Sequence, residues 1–216
     1  MIKLLDENGL VDMDISKLEH LIVRCGSFQY IDLSSWNTSN VKNLRWCFHC
    51  CSSLRSLDLN NWDVSNVETL SYCFSFCSSL SSLDVSRWNI SNVKNLAGCF
   101  SSCSSLSSLV IERWNTSNVE KLCGCFSGCT SLRSLDLSYW DVSKVEDMYG
   151  CFAGCISLVY LNIENWVINE RCDTTHIFNE CNNLSLIKCS KNTFKRILGK
   201  GWIYENGYAI KCGINV

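Results

Sequence analysis

The chain has 216 residues, with 19 basic and 21 acidic side chains and a formal net charge of −2. That balance excludes the global positive field that draws a protein to nucleic acid. No apolar run reaches the roughly 18 residues that a bilayer-spanning helix needs, so no membrane span is expected.

One spacing organises the rest. Trp36, Trp62, Trp88, Trp114, Trp140 and Trp166 recur every 26 residues, and so do Phe48, Phe74, Phe100, Phe126, Phe152 and Phe178. A fixed period of this size marks a stacked repeat protein, in which each unit is too small to bury its own core and shares one with its neighbours. The expected architecture is an α/β repeat solenoid, a right-handed stack with one short parallel strand and one short helical segment per rung. It forms a single domain over 1–216: a degraded capping repeat over 1–30, regular repeats over 31–187 and a C-terminal cap over 188–216.

In chain order, the opening MIKLLDENGLVDMD lacks a basic segment followed by an apolar one. No signal peptide is read there, which favours an intracellular protein. Leu10, Ile15, Leu18 and Cys25 fall on the repeat frame, and SKLEHLIVRC reads as the helix of the degraded first unit. The unit over residues 54–79 shows the regular pattern. Leu57 and Leu59 alternate with Ser56, Asp58 and Asn60, which predicts a strand with one buried side. Trp62 stands at a corner. Asp63, Ser65 and Asn66 form a polar turn. Val67, Leu70, Cys73, Phe74 and Cys77, three and four apart, predict a helical stripe. Ser65 with Glu68 matches a capping box for it, as do Ser117 with Glu120 and Ser143 with Glu146; Lys42 and Lys94 break the box elsewhere. At the far end a last strand, SLIKCS, precedes the basic segment KNTFKRILGKGW, with Trp202 and Tyr204 covering the final rung.

Seventeen cysteines would suggest a disulfide scaffold in a short secreted chain. Here the number is odd and most sit on two ladders four residues apart, of the Cys47 and Cys51 type. We expect reduced core thiols, because free cysteine is a small and habitually buried residue. Zinc or redox work is the competing reading, since Cys47-Phe48-His49-Cys50 spells C-x-x-C. The tryptophan ladder is expected to stack in the core instead of forming an exposed strip. The sequons at Asn37, Asn89, Asn115 and Asn183 read as turn residues, since Asp63 and Asp141 share the slot of the first three. His20, His49 and His176 form no ligand set. No phosphate loop, carboxylate pair or nucleophilic triad is present, so neither catalysis nor a metal or other cofactor is expected.

The run CFSGCTSLRSLDLSYWDVSKVEDMYGCF and the units LDLSSWNTSNVKNL, LDLNNWDVSNVETL and LDVSRWNISNVKNL resemble BspA-like leucine-rich repeat proteins. The similarity covers residues from about 18 to 187, and the tail IKCSKNTFKRILGKGW is similar to the family's closing segment. The chain departs at Cys47, Cys73, Cys99, Cys125 and Cys151, where that pattern carries methionine. The resemblance implies a cell-surface or secreted protein engaged in adhesion, which pulls against the missing signal peptide.

The expected activity is that of a non-catalytic binding module, with a protein as partner, from a host or a second copy. Core slots repeat while outward strand slots change from rung to rung, so a partner would read the latter on a concave face. Arg55, Asp58, Asn60, Arg87, Arg113, Arg133, Tyr139, Tyr160 and Glu164 are the candidates, since Arg and Tyr anchor interfaces. The aspartates of the Asp58, Asp84 and Asp136 column, interrupted by Val110 and Asn162, could instead be a structural ladder. Two alternatives are an assembly subunit of a filament, virion or envelope layer, and a thiol- or metal-binding protein.

Overall fold

The computed structural model describes residues 29–33 and 36–212. The expected capping repeat and its helix lie almost wholly outside those residues. Within them the chain is a stack of rungs in parallel register. β1 (Ser82–Asp84) pairs with β2 (Ser108–Val110). β3 (Ser134–Asp136), β4 (Tyr160–Ile163) and β5 (Leu186–Cys189) pair in turn, each 26 residues from the last. Leu83, Leu135 and Leu161 point inward while Ser82, Asp84, Ser134 and Asp136 are exposed, the alternation expected of a half-buried strand. The same alternation at residues 57–59 forms no strand.

Among the described residues no rung carries the expected helical segment, and the reason lies in where the amides go. Cys47, His49 and Cys51 donate three residues back, to Leu44, Trp46 and Phe48, at 3.1–3.2 Å. The amides between them donate to the next rung: Trp46 to Ser71 at 3.1 Å, Phe48 to Cys73 and Cys50 to Ser75 at 2.8 Å. An α-helix would keep all of these within the segment. Alternation between local and cross-rung bonds instead makes a ribbon of tight turns. Each ribbon has two left-handed residues four apart, such as Trp46 and Cys50, Tyr72 and Phe76, or Gly124 and Gly128. The third position of a type II turn demands that conformation. The capping boxes do not form either. The Ser65 amide is bonded by the Asp63 carboxylate at 2.9 Å, and the Glu68 amide donates across to Lys42 at 2.8 Å.

Although the segment is not helical, its stripe is buried as the spacing implies. Leu44, Cys47, Phe48 and Cys51 are fully buried, and so are their equivalents as far as Met148, Cys151, Phe152 and Cys155, while Thr174 and Phe178 of the last rung are partly exposed. The aromatic columns run through this core. Phe48, Phe74, Phe100, Phe126, Phe152 and Phe178 stack at 5.3–5.7 Å. Trp36, Trp62, Trp88, Trp114 and Trp140 stack at 6.0–6.4 Å. Buried indoles need an acceptor. Trp88, Trp114, Trp140 and Trp166 donate to the carbonyls of Leu59, Val85, Ile111 and Leu137 of the preceding rung.

The second cysteine ladder has a related task. Cys77, Cys103, Cys129, Cys155 and Cys181 donate S–H to the carbonyls of Phe48, Phe74, Phe100, Phe126 and Phe152 at 2.9–3.1 Å. The slot therefore takes a side chain that is small, apolar and still a weak donor. Polar turns lock the corners. The carboxamides of Asn37, Asn89 and Asn115 accept from the amides of Ser39, Ser91 and Ser117, as Asp63 and Asp141 do from Ser65 and Ser143.

At the C-terminal end the parallel register stops. Ser190 caps the short helix α1 (Lys191–Ile197) by accepting from the Thr193 amide. The hairpin β6 (Trp202–Glu205) and β7 (Tyr208–Lys211) then adds antiparallel to β5, giving the order β3-β4-β5-β7-β6. Trp202 and Tyr204 pack against the core from this hairpin.

Two predictions follow from this core. Trp88→Ala and Trp114→Ala each remove a buried, stacked and hydrogen-bonded ring, and each should lower stability by about 3–5 kcal/mol in urea unfolding; an unchanged midpoint would show that the column is dispensable. The second concerns pH. Burial pushes the thiol of Cys103 up from its ordinary 9.0 to about 12, and raises those of Cys73, Cys99, Cys125 and Cys129 as well. A thiol with a raised pKa keeps its proton longer in the folded state, so its stabilising effect is whole below pH 9.0 and declines toward about 12. Melting temperature should fall across that window, and less steeply in Cys103→Ala; a flat profile would contradict the buried ladder.

Candidate functional site

The strand face is divided. β1 and β2 form one sheet, and β3 begins the other. At this seam lies a cleft of about 720 Å3 lined by Glu112, Arg113, Trp114 and Asn115 from the rung of β2 and by Asp136 and Tyr139 from the rung of β3. One column changes residue at this seam. Asp58, Asp84, Asp136 and Asn162 each accept, through the side chain, the amide two residues on, at 2.9–3.2 Å. These bonds fix the turn that leaves the strand. Val110 occupies the same slot in the rung of β2 and has no oxygen to offer.

The structure brings two of the nine sequence-predicted residues, Arg113 and Tyr139, into this cleft. Both are exposed, Tyr139 to 78%. Trp114 is buried beneath them and belongs to the core column. Asp136 is held on both oxygens, by the Ser138 amide at 2.9 Å and by the Asn162 side chain at 2.9 Å. Burial works against its charge, but those hydrogen bonds leave its pKa below the usual carboxylate range. The cleft thus offers a guanidinium, a phenol and a carboxamide beside the carboxylates of Glu112 and Asp136.

A second group forms toward the cap. Glu164 pairs with Lys188 at 2.5 Å. Tyr160, on β4, is partly buried; burial, then Tyr208 and Asp136, push its phenol up. Asn162 is buried and shares the hydrogen bond to Asp136. The remaining candidates are dispersed. Arg55, Arg87 and Arg133 are exposed, while Asp58 and Asn60 bond each other through side chain and amide at 2.9–3.0 Å. Glu112 and Asn115 join the cleft without being among the nine. The signal for them was Val110, the one apolar residue in an acidic column. Among the described residues no three His, Cys, Asp or Glu side chains are grouped to hold a metal ion, and no helix is long and apolar enough to cross a membrane.

Comparison with known proteins bears on the repeat. The family described as "Mycoplasma protein of unknown function, DUF285" matches residues 16–110 and again 70–191. Two solved structures are similar. One is a leucine-rich repeat protein from Bacteroides ovatus, with 18% identity over 70% of this chain and a TM-score of 0.21. The chain spans 54% of that protein's length. The other is a leucine rich cell surface protein from Faecalibacterium prausnitzii, with 14% identity, a TM-score of 0.20 and coverage of 82% of this chain and 77% of that one. No curated protein matches. The two matched segments together run over most of the sequence, and the chain belongs to the DUF285 family.

Whether Val110 bears on the seam is testable. Val110→Asp should restore the missing turn bond to the Glu112 amide and stabilise the protein by about 0.5–1.5 kcal/mol. Hydrogen exchange at Glu112 should slow; an unchanged rate would mean that the seam has another origin.

Proposed function

We propose that this DUF285 member is a non-catalytic protein-binding module of the leucine-rich-repeat type, a right-handed solenoid of the BspA-like kind that engages its partner through the strand face. One observation carries the reading. Arg113 and Tyr139 stand exposed over the cleft at the seam, where residues of two rungs converge. Arg and Tyr supply interface energy out of proportion to their number, and they do so best in a recess from which water can be displaced. Rigid repeat stacks lend themselves to this use, because outward residues can change while the rung beneath them does not. Adhesion to another cell or to a matrix protein would be one setting for such a module.

The experiment compares folding with capture. Arg87, Arg113, Arg133 and Tyr139, replaced together by alanine, should shift stability by no more than about 0.5 kcal/mol each, as exposed positions do. Partner proteins retained by the wild-type chain should be lost from the variant. A variant that melts normally and still captures the same proteins would remove the strand face from the reading.

A further inference from the structure

The turn ribbon has an outer face as well as a buried one. Its first left-handed slot holds Trp46, Tyr72, Gly98, Gly124, Gly150 and His176 in successive rungs, all at positive φ. Where rings occupy it they build a column: Trp46 and Tyr72 lie 6.2 Å apart, with the Arg45 guanidinium 3.8 Å over Trp46. In three consecutive rungs the ring is replaced by glycine. The result is a trough of about 300 Å3, floored by those glycines and bounded by Tyr72 and Tyr149.

Glycine takes a left-handed slot without strain, so the three glycines alone would be turn chemistry and nothing more. The neighbouring rungs set tryptophan, tyrosine and histidine in the same slot, so this backbone does accept side chains there. The tyrosines supply the second observation. Tyr72 leans over Gly98 so closely that a Cβ on that glycine would collide with its ring. Over Gly124 and Gly150 the space is open, with the nearest side-chain atoms at 3.9 and 3.6 Å from an added Cβ. Tyr149 is 50% exposed and Tyr72 38%.

The chemistry of the lining selects the ligand. No charged side chain lines the trough, and the half-buried thiol of Cys123, pushed up to about 11 first by burial, stays neutral. The floor's amides are already engaged across the stack: Gly98 donates to Cys123 at 2.8 Å, Gly124 to Tyr149 and Gly150 to Thr175 at 2.9 Å. An extended peptide would find no donor in them. What the walls offer is hydroxyl groups, from Ser101, Ser127 and the two tyrosines. A sugar ring matches this set. It has an apolar C–H face for an aromatic ring or a glycine floor, a rim of hydroxyls, and no charge.

We propose that the trough binds a short neutral oligosaccharide, its rings lying over Gly124 and Gly150 between Tyr72 and Tyr149, with hydroxyls directed to Ser101 and Ser127. The site is on the turn ribbon and is independent of the strand-face reading.

Saturation-transfer NMR with cellotetraose, maltotetraose, mannotetraose and chitotetraose, each at about 1 mM, the weak end of specific recognition, tests it. At least one should bind saturably. Gly124→Asn fills the trough with a residue that tolerates left-handed backbone, and Tyr149→Ala removes an exposed wall. Each should weaken binding about tenfold or more, a step of about 1.4 kcal/mol. Tyr149→Ala, at an exposed position, keeps the test alive if Gly124→Asn fails to fold. The proposal is overturned if none of the four saccharides binds, or if binding persists unchanged in a folded variant. It is overturned equally if only N-acetyltryptophanamide occupies the trough, which would assign it to an aromatic side chain of a protein partner.

Discussion

Every other feature of this protein depends on amides that donate across the rungs. In the turn ribbon alternate N–H groups bond to a carbonyl 25 residues further on, as Phe74 does to Cys99 and Phe100 to Cys125. Buried backbone groups must find partners, and here half of them find one only if the next rung arrives in phase. An inserted residue would move each such donor off its acceptor and turn inward side chains outward. The unbroken 26-residue spacing from Trp36 to Trp166 is the sequence record of that constraint.

The columns follow from the same registration. Once backbones align at a fixed offset, like falls on like, and Phe meets Phe at 5.3–5.7 Å throughout. The second cysteine ladder shows how little freedom remains. Its thiol must fit beside the Phe column and also satisfy a Phe carbonyl that already accepts one amide, as Phe48 does from Cys51. Places where a column changes residue are therefore the informative ones. Val110 interrupts the aspartate column beside the seam on the strand face, and glycines replace rings in the column that floors the trough on the ribbon.

Much of this was legible in the sequence. The period, the tryptophan corner, the polar turns and the buried identity of Leu44, Cys47, Phe48 and Cys51 all come from spacing. The backbone conformation of that stripe did not. Apolar residues three and four apart suit a helix, but they equally suit a ribbon of overlapping four-residue turns, because both bring such positions to one side. The glycine pairs Gly124–Gly128 and Gly150–Gly154 carried the missing information, since glycines four apart are poor helix interior and good left-handed turn residues. The capping boxes misled for a related reason. Ser65 and Glu68 have the right spacing, but the Glu68 amide is taken by Lys42, a residue of another rung that no local pattern reveals. Arg113 and Tyr139 stood out as varied outward positions. That they share one cleft depends on the seam, where two rungs meet without pairing their strands.

Scalar coupling through hydrogen bonds tests the central constraint directly. The 15N nucleus of Phe100 should couple to the carbonyl carbon of Cys125, the acceptor 2.9 Å away in the next rung. A coupling from Phe100 to the carbonyl of Leu96, as an α-helix requires, with none to Cys125, would contradict the account.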